Sequence, residues 1–412
     1  MQTRRVAILG STGSIGRQTL EVIAHLNGLA DVGLSHVRFE VVGLSAGMNA
    51  SLLAEQARRF GVSGLAIMAD PCGFVELRHA FRGDDAAEQL VRSADADLVV
   101  AAMVGVAGLP ATLAAIERGF DIALANKETL VAAGSIVTEA IATKSGDRRV
   151  SLFPVDSEHA GVWQCLMGIC GTASASIAGL VPPLKVDGHI RRLVLTASGG
   201  PFRSWTKDAV MRATPDQALK HPTWTMGGKI TIDSASLMNK CLELIEAYWL
   251  FGITPEKLDA VIHPQSIVHA LVETIDGSVV AQLGVPDMRT PIQMAMLFPQ
   301  RAAGTAPRLN FVEMGSLEFE PIDVDRFPAM GLWRDCIGSE FAMTTKGAVL
   351  NAANEVAVMR FLDRDRSPMA FGRISEVVTE VLSCVRARPA LSLNDVLAAD
   401  LEAREAARSL LK

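Results

Sequence analysis

The stretch VAILGSTGSIGRQTLEVIAHL, Val6–Leu26, decides how the rest of the chain is read. Val6–Leu9 is a short apolar run with the texture of a buried strand, and Arg17–Leu26 has the spacing of a helix. Between them lie Gly10, Gly13 and Gly16 in the pattern G-x-x-G-x-x-G. Glycines let the backbone turn sharply and approach a phosphate, while the helix beyond supplies free N–H groups and the positive end of its dipole. Plain βα connections also use glycine, and the commoner dinucleotide pattern is G-x-G-x-x-G. What favours a dinucleotide here is position, at the first βα turn of an alternating array.

The array extends outward from that turn. Phe39–Leu44, Gly64–Met68, Leu98–Met103 and Asp121–Ala125 are further short apolar runs separated by helix-like segments. Strands alternating with helices at this spacing predict βαβ units and a mostly parallel, doubly wound, Rossmann-like α/β sheet. The second strand runs into Ser45-Ala46-Gly47-Met48-Asn49, with no acidic residue to hold a free ribose 2′-hydroxyl. That leans towards NADP over NAD, although no arginine or lysine stands there either.

At 412 residues the chain exceeds one typical core, and 49% hydrophobic with 20% charged residues describes a globular protein. A net charge of −6 and the lack of a long Lys/Arg run argue against a nucleic-acid surface. Cys72, Cys165, Cys170, Cys241, Cys336 and Cys384 are scattered without a C-x-x-C pair, which argues for a reducing, cytoplasmic setting over a zinc site or a disulfide framework. The first strand begins too early to leave room for a signal peptide. The longest apolar stretch, Val99–Ile116, is broken by Gly105, Gly108 and Pro110, so no membrane span is expected. The texture divides the chain into a cofactor domain over 1–150, a central α+β catalytic domain over 151–299, a connection over 300–328, and a C-terminal helical bundle over 329–412.

Two polar features stand out against this frame. Leu152–Val155 delivers Asp156 and Glu158, separated by one serine. Residues two apart on an extended chain point the same way, so both carboxylates would face one spot and would need a cation between them. The plainer alternative is a polar turn in which Asp156 caps a helix over Ala160–Met167. Residues 233–251, DSASLMNKCLELIEAYWLF, read as one buried helix, apolar around most of its circumference. Asn239, Glu243 and Glu246 form a single line on it, with Lys240 alongside. A narrow polar stripe between apolar flanks predicts a cavity, not a solvated edge. Asp156, Glu158 and Glu243 would then offer three carboxylate oxygens to a hard divalent cation, with Glu246 outside that set.

Eight motifs in order carry a resemblance over nearly the whole chain: GSTGSIG (10–16), LANKETLV (124–131), PVDSEH (154–159), TASGGPF (196–202), HPTWTMG (221–227), KITIDSASLMNK (229–240), HPQSIVH (263–269) and GVPDMRTP (284–291). Together they resemble the 1-deoxy-D-xylulose 5-phosphate reductoisomerases. The resemblance implies a homodimeric enzyme using NADPH and Mg2+ or Mn2+. It would rearrange and reduce a phosphorylated sugar, 1-deoxy-D-xylulose 5-phosphate, to 2-C-methyl-D-erythritol 4-phosphate for isoprenoid precursors. Asp156, Glu158 and Glu243 match the metal ligands. Ser157, Ser198, His221, Ser234, Asn239 and Lys240 match substrate contacts, with Ser198, Ser234, Asn239 and Lys240 towards the phosphate. Thr12, Gly13, Ser14, Ile15, Gly47, Asn49, Asn126, Glu128 and Gly227 match cofactor contacts, and Lys127 lies between cofactor and substrate. His221–Gly228 resembles a mobile loop with Trp224 as its lid. Met48 stands in the cofactor segment where many relatives carry a basic residue, and residues 27–38 look like an insertion.

Two rival readings stay in view. A semialdehyde dehydrogenase also opens with G-x-x-G-x-x-G but needs a nucleophilic cysteine, whereas Cys165 and Cys241 lie in apolar helical stretches. A non-catalytic dinucleotide sensor would be expected to lack one or more of the three carboxylates, and all three are present.

Overall fold

The computed structural model describes residues 1–412 apart from 71–72, 145–148, 171–179, 187, 225 and 339–342, and for Cys170 the backbone alone. Cys72 and the Cys170 side chain therefore lie outside the described residues.

Val6, Ala7, Ile8 and Leu9 are fully buried and form the end of β1 (Gln2–Leu9), at the centre of a seven-stranded sheet. The others are β2 (Val37–Ala46), β3 (Gly64–Ile67), β4 (Phe81–Arg82), β5 (Leu98–Ala101), β6 (Asp121–Leu124) and β7 (Leu152–Pro154). Their order is β4-β3-β2-β1-β5-β6-β7 and every pairing is parallel. β5 and β6 are buried along their whole length, as strands covered on both faces are. The chain leaves β1 towards β2 on one side and returns to β5 on the other, so the strand order reverses between β1 and β5. Ligands of open parallel sheets bind at such a point, beyond the strand ends.

The glycine turn sits there. Gly10 has φ +80°, and a Cβ on it would stand 2.5 Å from the Ala102 carbonyl oxygen of the neighbouring strand end. A Cβ on Gly16 would stand 2.4 Å from the Gly10 carbonyl oxygen, so the turn closes only on hydrogen. The following helix, Ser14–Asp31, is longer than the apolar spacing predicts and takes up residues 27–31 of the stretch read as an insertion. Asn27 ties that helix to β2 by donating to the Phe39 carbonyl and accepting from its N–H, both at 2.8 Å.

A second sheet contains β8 (Ile190–Ala197), β9 (Leu258–Ile262), β10 (Val268–Thr274) and β11 (Val279–Leu283) in the order β11-β10-β8-β9. Only the β8–β9 pair is parallel. The helix Ser157–Cys170 leaves β7 of the first sheet and packs on β10 and β11 of the second, so one short connection joins the two sheets. The last strand of the first sheet thus lies beyond residue 150. Residues 300–328 are not a free connection either: Glu320 pairs with Ile262 in an antiparallel bridge, and a short helix covers Phe311–Met314.

Helices Lys346–Leu362, Arg373–Cys384 and Leu393–Leu410 pack together at the C-terminus. The first of them lies against helix Lys127–Thr143, which follows β6, and against helix Gly228–Ala235. One reading is corrected here. Residues 233–251 are not one helix: Leu237 has φ +58° and separates Gly228–Ala235 from Met238–Phe251. The left-handed residue turns the chain, so Ser234 sits on one helix and Asn239, Lys240 and Glu243 on the next.

Candidate active site

Asp156 follows β7 and precedes the helix Ser157–Cys170, whose Glu158 N–H reaches an Asp156 carboxylate oxygen at 3.3 Å. Asp156 therefore does cap a helix, one that begins at Ser157. Glu158 stands in the first helical turn, not on an extended strand, so the turn brings the two carboxylates together where alternation was predicted to do so. Glu243 enters from helix Met238–Phe251. One oxygen from each of Asp156, Glu158 and Glu243 lies within 4.8 Å of the others.

Two ammonium groups stand among these carboxylates. Lys127 Nζ is 2.7 Å from Asp156 Oδ2 and 2.9 Å from Glu243 Oε1, and it donates to Asn239 Oδ1 at 2.8 Å. Lys240 Nζ is 2.9 Å from Glu158 Oε1 and also meets Glu243 Oε2. Burial works against the Lys127 charge, but Asp156, Glu243 and Glu246 hold its pKa well above the ordinary value. Burial likewise opposes the Asp156 charge, yet Lys127 and His159 keep that carboxyl well below its usual range. Glu158 has the opposite fate: burial, then the adjacent Glu243 carboxylate, push it up to about 7. The three carboxylates outnumber the two ammonium groups, which is the crowding that raises Glu158.

That donor set fits a hard divalent cation. Oxygens on opposite sides of Mg2+ lie about 4 Å apart, which the 4.8 Å limit on the separations here admits, and carboxylate oxygen suits Mg2+ or Mn2+. The solvated-edge reading of the polar stripe fails, because Lys240, Glu243 and Glu246 are 2%, 1% and 1% exposed.

Behind Asp156 lies a pair to which the sequence reading gave no role. The carbonyl oxygen of Glu243 can only accept, so His159 Nε2, 2.9 Å away, carries a hydrogen. The other ring nitrogen is 3.4 Å from Asp156 and 3.5 Å from Glu246. Burial opposes a charge on His159, but Glu246 and then Asp156 raise its pKa to about 9. Glu246 therefore lies behind the site, one layer deeper than Glu243. His159 stood inside the quoted PVDSEH motif, which was the available signal.

Ser198 follows β8, and His221 and Ser234 meet it. His221 Nδ1 accepts the backbone N–H groups of Thr223 at 3.1 Å and Trp224 at 2.9 Å. The neutral ring must then carry its hydrogen on Nε2, which lies 3.0 Å from Ser198 Oγ and 3.1 Å from Ser234 Oγ. Burial pushes the His221 pKa down, in keeping with a neutral ring. Ser198 Oγ also accepts the Gly200 N–H at 3.2 Å. Asn239 and Lys240 are grouped elsewhere: their polar ends meet the carboxylates and Lys127.

Apart from His159 and Glu246, these side chains face a cavity of about 850 Å³ that runs to the glycine turn. Gly13, Ser14, Ile15, Asn126, Lys127, Glu128 and Gly227 line it, as do Ser157 and Trp224. Gly13 is the N-cap of helix Ser14–Asp31 and offers no side chain to its N–H groups, which leaves that helix end to a ligand. Thr12, Gly47, Met48 and Asn49 lie outside the cavity wall; Met48 is 73% exposed beyond β2, and Asn49 caps the helix Ala50–Phe60. The Asn126 side chain is committed to the turn: it accepts from the Thr129 N–H at 2.9 Å and donates to the carbonyls of Gly105 at 2.9 Å and of Met103. Its backbone N–H donates to the Ala101 carbonyl at 3.0 Å. Glu128 is paired with Lys229 at 2.7 Å.

The sequence reading assigned no roles to Met103, Val104, Lys229, Ser266, His269 or Pro286–Arg289, all of which line the same cavity. Two of its quoted motifs, HPQSIVH and GVPDMRTP, contained most of them. Burial pushes the His269 imidazole down to about 4. Among the described residues no cysteine lines the cavity. Cys165 and Cys241 are buried, and burial pushes both thiols up, Cys165 to about 12, which removes the nucleophile a semialdehyde dehydrogenase would need.

Comparison with known proteins agrees along the chain. Three family models match: 1-deoxy-D-xylulose 5-phosphate reductoisomerase over residues 6–134, the C-terminal domain of that enzyme over 152–251, and the DXP reductoisomerase C-terminal domain over 283–406. The 1-deoxy-D-xylulose 5-phosphate reductoisomerase of Pelotomaculum thermopropionicum is 45% identical over 97% of each chain. That of Rhodococcus jostii is 46% identical over 99% of this chain and 94% of its own. Among solved structures, the enzyme from Zymomonas mobilis in complex with NADPH superposes with a TM-score of 0.83 at 38% identity, covering 100% of both chains. A DOX-P reductoisomerase in complex with NADPH, fosmidomycin and magnesium gives 0.84 at 33% identity over 100% of this chain and 98% of its own. Likeness of this depth from one end to the other, over both sheets and the terminal helices, means that the chain belongs to the 1-deoxy-D-xylulose 5-phosphate reductoisomerase family.

Proposed function

We propose that the chain converts 1-deoxy-D-xylulose 5-phosphate to 2-C-methyl-D-erythritol 4-phosphate with NADPH, and that Asp156, Glu158 and Glu243 hold the Mg2+ or Mn2+ it requires. The observation that carries this reading is the meeting of three carboxylates from two distant segments at one end of a cavity whose other end is the glycine turn. When bound, the divalent ion polarises a carbonyl and acidifies a neighbouring hydroxyl, and NADPH supplies the hydride.

The chain's own groups do the rest. Lys127, held as an ammonium, donates to substrate oxygens that gain negative charge as a carbon–carbon bond breaks. His221 Nε2 already carries its hydrogen, so neither Ser198 nor Ser234 can donate to it. Both hydroxyl hydrogens are left for an anionic oxygen, which supports placing the substrate phosphate there. Trp224 and its neighbours close over the substrate and exclude water. Gly13, Ser14, Ile15, Asn126, Glu128 and Gly227 receive the nicotinamide half of the cofactor, with Thr12, Gly47, Met48 and Asn49 at its adenosine end.

A homodimer is part of the proposal, supported by β11, an edge strand whose Val279, Val280 and Ala281 are exposed. Buried free thiols at Cys165, Cys241 and Cys336 support a reducing, cytoplasmic compartment. No described helix is long and apolar enough to cross a membrane. The test is NADPH oxidation on addition of 1-deoxy-D-xylulose 5-phosphate with Mg2+ or Mn2+, followed by excess chelator. Oxidation is expected and should stop on chelation; no oxidation, or oxidation indifferent to chelator, overturns the reading.

A further inference from the structure

Lys229 is the second residue of helix Gly228–Ala235, immediately after the 221–227 loop, and its side chain is nearly buried. Its ammonium lies 2.7 Å from Glu128 Oε1 and 2.9 Å from Asp233 Oδ2. Asp233 in turn accepts from Asn354 Nδ2 at 2.8 Å, on the first helix of the C-terminal bundle. One polar chain therefore links three parts of the molecule: the helix start beyond β6, the root of the loop, and the terminal helices.

Glu128 stands on the cavity wall, and as a carboxylate it offers both oxygens as acceptors to ligand hydroxyls, where a neutral acid would give up one of them to a donor. Buried carboxylates stay ionised only beside a cation. Lys229 is that cation, and it serves Glu128 and Asp233 at once. We propose that Lys229 is a positioning residue for the cofactor: it keeps Glu128 ionised and aimed into the cavity, and ties the exit of the 221–227 loop to the cofactor's binding residues. This rests on the placement of Glu128 against NADPH made above.

The consequence is coupling. A cofactor that fastens on Glu128 also fixes the residue from which the loop's C-terminal end departs, so NADPH binding seats the loop for the substrate. Loss of Lys229 leaves two carboxylates facing one another, and one of them takes up a proton.

The experiment measures NADPH affinity by cofactor fluorescence for the full-length parent, Glu128→Gln, Lys229→Gln, Lys229→Arg and the double variant Lys229→Gln/Glu128→Gln. Each single neutral change is expected to weaken NADPH about tenfold, the size of one lost charge-assisted hydrogen bond. The double variant should lose no more than the worse single one, because both act through the same contact. Lys229→Arg should recover part of the loss, and Mg2+ affinity should stay at the parent's value throughout. If Lys229→Gln does not fold, Lys229→Gln/Asp233→Asn removes the extra buried charge and is expected to show the same tenfold loss. Undiminished NADPH binding in Glu128→Gln would overturn the placement of Glu128 and this proposal with it. A loss in Glu128→Gln with parental affinity in the Lys229 variants, or losses that multiply, would overturn the role of Lys229 alone.

Discussion

His221 does two separable jobs, and two substitutions divide them. In His221→Asn the amide oxygen takes the place of Nδ1 and can still accept the Thr223 and Trp224 N–H groups, but nothing reaches Ser198 and Ser234. In His221→Gln the amide nitrogen reaches towards the Nε2 position, while the two backbone N–H groups of the loop lose their acceptor. A net hydrogen bond contributes about 1 kcal/mol, so Asn, losing one, should cost about fivefold in kcat/KM. Gln, losing two, should cost about 2 kcal/mol, or roughly thirtyfold, less whatever water restores to the loop. The loss in Gln should fall on KM and kcat together, since an unseated loop weakens binding and admits water. Steady-state NADPH oxidation at saturating NADPH and metal measures both constants, with thermal unfolding as the check that each variant is folded. The reasoning fails if Asn is far worse than Gln, because His221 Nε2 would then act on the substrate itself and not by orienting two serines. It fails equally if both match the parent.

Four further outcomes follow from the structure. Gly13→Asp should fold normally, since its Cβ would meet only the Gly10 carbonyl oxygen at 3.3 Å and aspartate is a good N-cap, yet bind NADPH far more weakly because a negative charge stands where pyrophosphate approaches. Gly16→Ala should do the reverse of sparing the fold, losing about 1–3 kcal/mol of stability in denaturant titration, so equal stability of the two variants would refute this account of the turn. Glu158→Gln should weaken Mg2+ by at least the roughly hundredfold that even an outer partner of a metal ligand can cost, with excess metal restoring part of the activity; calorimetry showing parental Mg2+ affinity would return Glu158 to a plain helix-start residue. Acid should loosen the loop through His221. Its pKa in the folded protein lies below the ordinary 6.5, so its contribution is whole above about pH 6.5 and is lost as the pH falls through the lower folded value. Below that, Nδ1 gains a hydrogen facing two N–H donors, and the KM for substrate should rise more steeply in the parent than in His221→Asn.

The strands of the first sheet were legible because each is a local property: four or five apolar residues bounded by glycine or polar turns need no partner to be recognised. The buried end of β1 (Gln2–Leu9), Gly64–Ile67 and Asp121–Leu124 fall where the apolar runs lie, and the three neighbouring carboxylates were visible as an unexpected charge pair and a polar stripe. β4 escaped because two residues, Phe81 and Arg82, carry no periodicity, and β7 was legible as a strand but not as a member of the first sheet. The break at Leu237 escaped for another reason. A left-handed leucine is costly in isolation and is held only by what surrounds it, and a helix-period pattern runs across it unchanged. Glu246 shows the same limit from the side of charge. Its place on the stripe is readable from spacing, but its contact with His159, 87 positions earlier by residue number, depends on how two helices cross. Sequence alone determined which runs are apolar, where glycine turns the chain, and which chemistry the polar exceptions can support. Only the tertiary structure decided which exceptions face one another, such as Lys229 and Glu128 across 101 positions, because periodicity reports a residue's side of its own element and carries no information about the element packed against it.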